Sequence, residues 1–218
     1  MTADYRQIGE AAHAVQLEIM GAFHPQPGDA GPAGARTIVL LGPHEPGFWP
    51  HVTAEPEFED DEPDPIDRWS SRVIGSLARD LNATAVFPFG GPPYQPFVRW
   101  ALRSERAFSS PVGLLVHDRA GLMISYRGAL VFDHRIAIPP TGPSPCISCE
   151  DRPCLSACPV GALSAAPFDL DGCHAFLDTL PGAACLSQGC AVRRACPAGA
   201  NYPRLTVQSA YHIRMYHR

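Results

Sequence analysis

Cys146-Ile147-Ser148-Cys149-Glu150-Asp151-Arg152-Pro153-Cys154-Leu155-Ser156-Ala157-Cys158-Pro159-Val160-Gly161-Ala162 is the stretch on which the reading of this chain turns. Its cysteines are spaced C-x2-C-x4-C-x3-C-P. Four more follow at Cys173, Cys185, Cys190 and Cys196, and none of the eight lies in the first 145 residues. An even count can mark a disulfide framework in a small secreted chain. A chain of 218 residues whose larger part is free of cysteine, in a reducing compartment, fits that poorly. Metal ligation fits it well.

The pattern recurs further along. Cys185-x4-Cys190-x5-Cys196 ends in Cys196-Pro197-Ala198-Gly199-Ala200, so Cys-Pro-x-Gly-Ala occurs twice, from Cys158 and from Cys196. The bacterial iron–sulfur run is C-x2-C-x2-C-x3-C-P, and the first group here carries two extra residues before its third cysteine. A proline after the last cysteine fixes φ and turns the chain away from what the thiolates hold. Zinc ribbons also use C-x2-C pairs, but zinc coordination has no need of a repeated Cys-Pro-x-Gly-Ala. Iron–sulfur ligation is the expectation, with a zinc-stabilised binding protein as an alternative.

Residues from about 141 to 218 resemble the dicluster ferredoxin domain of epoxyqueuosine reductases and corrinoid-dependent dehalogenases. In two-cluster ferredoxins the cysteine before the proline ligates the other cluster. The resemblance therefore implies two [4Fe–4S] clusters. Cys146, Cys149, Cys154 and Cys196 would hold the first, and Cys158, Cys173, Cys185 and Cys190 the second. Cys173 takes the place of the family's isolated cysteine, whereas the second set departs from the tighter C-x2-C-x3-C-P.

The rest of the chain reads as a separate α/β (α+β) domain over 1–138, followed by a two-cluster domain over 139–218, with Pro139-Pro140-Thr141-Gly142-Pro143 as the boundary. Ile8, Ala12, Val15 and Ile19 recur at helical spacing and predict a helix over 5–20. Thr37 to Leu41 predicts a buried strand. Asp64 before Pro65 predicts a capped helix whose apolar face is Ile66, Trp69, Val73, Leu77 and Leu81. A strand over 83–87 and a short helix over 96–106 follow. Two strands, 112–116 and 122–132, are expected to pair through the turn from His117 to Gly121.

Gly113-Leu-Leu-Val116-His117-Asp118-Arg119-Ala-Gly121-Leu-Met-Ile-Ser-Tyr126-Arg127-Gly128, with the Asp64-Pro65-Ile66-Asp67 helix start, resembles the cobalamin-processing chaperones of the cblC type over residues 35–138. That resemblance implies a nitroreductase-like fold shared with the catalytic half of epoxyqueuosine reductase, and a cobalamin or flavin site. Tyr126 and Arg127 are its candidate lining residues. Family members bind cobalamin without a histidine ligand, and this chain has no Asp-x-His-x-x-Gly. It carries Phe87-Pro88-Phe89-Gly90-Gly91 where the queuosine enzymes place an acidic residue, a departure that separates it from them.

Composition narrows the remaining classes. Apolar residues make up 45% of the chain, enough for a packed core. A net charge of −5 supplies no basic field for nucleic acid. The apolar runs fall far short of the ~18 residues that span a membrane. The opening residues Met1 to Arg6 lack the basic-then-apolar order of a leader, so a cytoplasmic location is expected. All 17 basic residues are arginine, which excludes lysine Schiff-base and P-loop chemistry. Glu55 to Asp67 holds eight acids and no base, either a solvated loop or a docking patch for a redox partner protein. Arg193 and Arg194 are placed to offset the charge of a thiolate-bound cluster. His117, His134 and His174 are expected to be structural. Three functions are thus expected to compete: an iron–sulfur protein passing single electrons to a corrinoid or flavin, a simple ferredoxin-type carrier with a docking domain, and a zinc-stabilised protein without redox chemistry.

Overall fold

Strand β2, Thr37–Pro43, is buried at every position, and so is β1, Leu17–Phe23. The structure, a computed structural model, describes residues 2–217; Met1 and Arg218 lie outside it. The chain is of the α+β class and divides into two compact units, residues 1–106 with 125–141, and residues 107–124 with 142–218. The segment 107–124 thus groups with the cysteine-bearing residues.

In the first unit, β1 and β2 join β3, Thr84–Val86, and β6, Gly128–Phe132, in a four-stranded antiparallel sheet of order β1-β2-β6-β3. Ile38 to Leu41 are fully buried, as a strand covered on both faces requires. Helix α1, Tyr5–Ala14, packs on β1, and α3, Pro65–Asp80, on β3 and β6. Two shorter helices, α2 at Phe48–Val52 and α4 at Phe97–Arg103, complete the unit. The fully buried Trp69 of α3 meets Phe48 edge-on at 5.5 Å between ring centroids.

Three sequence expectations need correction. Helix α1 ends at Ala14, because Gln16 adopts a left-handed φ of 56° and the chain enters β1; Ile19 is a strand residue. An Asp4–Gln7 capping box starts this helix. Asp64 precedes α3 as expected, but its side chain makes no capping bond. With φ at 54°, it presents its carbonyl to the amides of Asp67 and Arg68 instead. The expected pairing of 112–116 with 122–132 does not form. The turn exists, but β5, Leu115–His117, pairs with β4, Ala107–Ser109, in the second unit, and β6 joins the sheet of the first.

Arginines of the same unit pair with half of the acidic run. Arg72 reaches Glu57 at 2.6 Å and also pairs with Glu55, Arg68 pairs with Asp60 at 2.6 Å, and Arg127 with Asp67 at 3.1 Å. The hydrogen bond from Arg72 holds the Glu57 carboxyl below its ordinary value of 4.5, against the opposing effect of burial. A carboxylate depressed on folding contributes stability above its unfolded pKa and loses it as pH falls through the folded value. Glu57→Gln is therefore expected to lower stability at pH 7 by about 1 kcal/mol or less, since Arg72 is half exposed. The gap from wild type should close below pH 4.5, as thermal melts across pH would show.

Candidate metal centre

The second unit places its cysteines on short, tightly turned segments. Cys154 sits in the 3-10 turn Pro153–Leu155. The two Cys-Pro-x-Gly-Ala copies close on the same backbone hydrogen bond, Gly161 N–H donating to Cys158 O at 3.2 Å and Gly199 N–H to Cys196 O at 3.1 Å. Cys173 lies on α5, Leu170–Leu177, whose first turn is capped by the Asp169 side chain. Cys185 lies on α6, Ala183–Gln188, and Cys190 immediately precedes α7, Ala191–Arg194. The last helix, α8, Thr206–Tyr216, packs against α6.

Cys146, Cys149, Cys154 and Cys196 line one hollow, together with Val116, Leu122, Pro145 and Pro197. Its atom-free space is about 360 Å³, part of it open to solvent. Burial pushes the Cys146 and Cys154 thiols up, and charge on Cys196 acts in the same direction on both. Cys196 is thus brought among three cysteines that precede it by more than forty positions. Among the described residues no three His, Cys, Asp or Glu side chains converge on a single ion position.

The other four cysteines form a second electrostatic neighbourhood. Burial pushes the Cys173 thiol up, and Cys190, Cys158 and Cys185 follow in that order as charges acting on it. Burial likewise raises the Tyr216 phenol, with smaller contributions from Cys173 and Cys190. The guanidinium of Arg193 donates to Leu122 O at 2.6 Å, and Leu122 lines the first hollow. Burial lowers the pKa of Arg193 while Cys190 opposes that change. Leu122 O is the guanidinium's only hydrogen-bond partner among the described residues. Arg194 is exposed and reaches Gly189 O at 3.3 Å.

The turn between β5 and Leu122 fits closely against the second Cys-Pro turn. His117 and Gly121 exchange backbone bonds at 2.9 and 3.0 Å. The buried His117 ring accepts at Nδ1 from the amides of Arg119 and Ala120, a structural role. A Cβ on Gly121 would stand 2.5 Å from Gly199 N and 3.0 Å from Cys196 Sγ.

Sequence reasoning did not single out Ser110, which also lines the hollow. It is 8% exposed, and its hydroxyl has no hydrogen-bond partner among the described residues. Such a group costs about 1–3 kcal/mol when left unmatched. No motif marks a lone serine in a hairpin. His174 and His217, whose Nδ1 atoms stand 3.0 Å apart, were equally invisible as a pair because 43 positions separate them.

Tyr126 and Arg127 belong to the first unit. Arg127 donates its backbone N–H to Leu41 O at 2.8 Å and its guanidinium to Asp67 and to Tyr126 O. The Tyr126 ring lies 6.5 Å from that of Phe97. Burial raises the Asp67 carboxyl while Arg127 pulls it back down. Arg127 therefore ties β6 to α3.

No family model, no curated protein and no solved structure matches this chain. No helix among the described residues is long and apolar enough to cross a membrane.

Proposed function

We propose that this protein is an iron–sulfur electron-transfer protein holding two [4Fe–4S] clusters, one on Cys146, Cys149, Cys154 and Cys196 and the other on Cys158, Cys173, Cys185 and Cys190. The observation that carries the reading is the placement of Cys196 with the first three cysteines around one hollow. That is the crossed arrangement of two-cluster ferredoxins. The donor set suits the group, since cubanes are held by four thiolates. Zinc would draw its ligands to about 2.3 Å from one point, whereas a cubane spreads its four thiolates over four irons.

Each cluster, when bound, accepts and releases one electron at a time. The protein's own part is to supply thiolates, exclude water and set the local charge. Val116, Leu122, Pro145 and Pro197 provide apolar walls, and burial there favours the less charged redox state. Arg193 brings a half-buried cation beside Cys190, whose negative surroundings would stabilise it in return. Anaerobically purified protein is expected to be brown, with broad absorption near ~400 nm that bleaches on reduction. A colourless protein whose spectrum does not respond to dithionite would contradict the proposal.

The wider reading is a bacterial-ferredoxin-like unit working with a nitroreductase-like, cblC-like unit that receives the electrons through a corrinoid or flavin. Reduction of cobalt in single-electron steps matches a one-electron donor. A second reading, a ferredoxin-type carrier whose first unit docks a redox partner protein, is favoured by the Arg127–Asp67 pair, which gives Arg127 a structural use. Titration of the protein with cobalamin, and separately with flavin mononucleotide, separates them. The corrinoid or flavin reading expects a visible-spectrum change at tens of micromolar, about −6 kcal/mol, weakened in Arg127→Ala. No change with either cofactor assigns the first unit to docking.

A further inference from the structure

We infer that Ser110 donates a hydrogen bond from its hydroxyl to a sulfur of the group held by Cys146, Cys149, Cys154 and Cys196, and so raises the reduction potential of that centre relative to a protein lacking the hydroxyl. The inference rests on the two-cluster reading and adds to it a residue from outside the cysteine segment.

Ser110 is held in place by its own backbone. Its N–H donates to Leu114 O at 2.9 Å and its carbonyl accepts from Gly113 N–H at 3.0 Å, closing the loop between β4 and β5. Its main-chain polar groups are therefore matched, and the hydroxyl is what remains. That hydroxyl is buried, lacks a partner among the described residues, and belongs to a residue lining the hollow of the first four cysteines. Buried hydroxyls in folded proteins are nearly always hydrogen-bonded. Among the described residues, Ser110 combines such an unmatched hydroxyl with a place in the hollow of the four thiols.

The sign of the effect follows from charge. Reduction adds one electron to an already anionic centre, and sulfur becomes the stronger acceptor. A donor at that sulfur stabilises the reduced state more than the oxidised one, which moves the potential upward. Ser110 is a positioning residue for electron affinity, not a ligand, and removing it should leave the iron in place.

The test is a potentiometric titration of holoprotein followed by paramagnetic resonance, with iron content measured on the same samples. Single-cysteine variants assign each signal to its ligand set. Ser110→Ala is expected to keep wild-type iron and to shift the midpoint of the Cys146-Cys149-Cys154-Cys196 centre downward while the other midpoint stays. Ser110→Thr, which keeps a hydroxyl, should lie closer to wild type than its isostere Ser110→Val. That pair decides the matter if Ser110→Ala fails to fold. Unchanged midpoints in Ser110→Ala, or equal midpoints in the Thr and Val variants, would overturn the role of Ser110. Wild-type protein that binds no iron would instead overturn the reading beneath it.

Discussion

Cys196→Ser is expected to abolish the resonance of the centre on Cys146, Cys149 and Cys154 and to spare the one on Cys173, Cys185 and Cys190. Cys158→Ser is expected to do the reverse. Each variant should keep about four of the roughly eight irons that two cubanes require. The expectation follows from where the chain puts these residues. Cys196 lines the hollow of the first three cysteines and is the leading charge acting on the thiols of Cys146 and Cys154. Cys158 acts on Cys173 together with Cys190 and Cys185. Serine is nearly isosteric but does not supply a thiolate, so the loss reports ligation and not packing. If each variant lost the centre of its own sequence neighbours, the crossed topology would be wrong.

Gly121→Ala is expected to cost the same centre without replacing a ligand. Gly121 has φ of 53°, where a Cβ carries a penalty of roughly 1–2 kcal/mol. The added methyl would also stand 2.8 Å from Gly199 Cα and 3.0 Å from Cys196 Sγ. Backbone cannot swing aside as a flexible side chain can, so the turn bearing Cys196 must move. Overpacking adds roughly 1–3 kcal/mol, and the total falls on the segment that presents the fourth thiol. Gly113→Ala is the matched control. Its φ of 75° carries a similar backbone penalty, but nothing lies within 4 Å of the new methyl. The control should retain its full iron with a modest loss in Tm, while Gly121→Ala loses the Cys146-Cys149-Cys154-Cys196 signal. Equal iron in both variants would show that the 121–199 contact does not hold Cys196 in place.

What could be read in the sequence was local. The cysteine spacings and the doubled Cys-Pro-x-Gly-Ala are short-range patterns, and their grouping into fours needs only a ferredoxin rule. Helix α3 was legible for a similar reason, because Ile66, Trp69 and Leu77 share a buried face within one element. Failures came where one residue's conformation or a distant partner decides. The left-handed φ of Gln16 ends α1 early, and no periodicity announces it. The turn at His117–Gly121 is real, yet the strands flanking it pair with β4 and with β2 and β3, because the chain leaves one compact unit for the other after Ile124. Arg127 reads in the sequence as a pocket residue; the structure pairs it with Asp67 across 60 positions. Ser110 carries no signal in sequence at all, since only the fold places it beside the cysteines.

The central claim is that eight thiols are divided four and four between two cubane clusters. Iron and acid-labile sulfide, measured per chain on anaerobically purified protein alongside zinc, test it most directly. About eight irons and about eight sulfides per chain, with negligible zinc, is the result expected from four-cysteine ligation of two clusters. Four irons and four sulfides would leave one set of cysteines without a centre and refute the four-and-four division. Zinc in place of iron, with no labile sulfide, would contradict the redox function altogether.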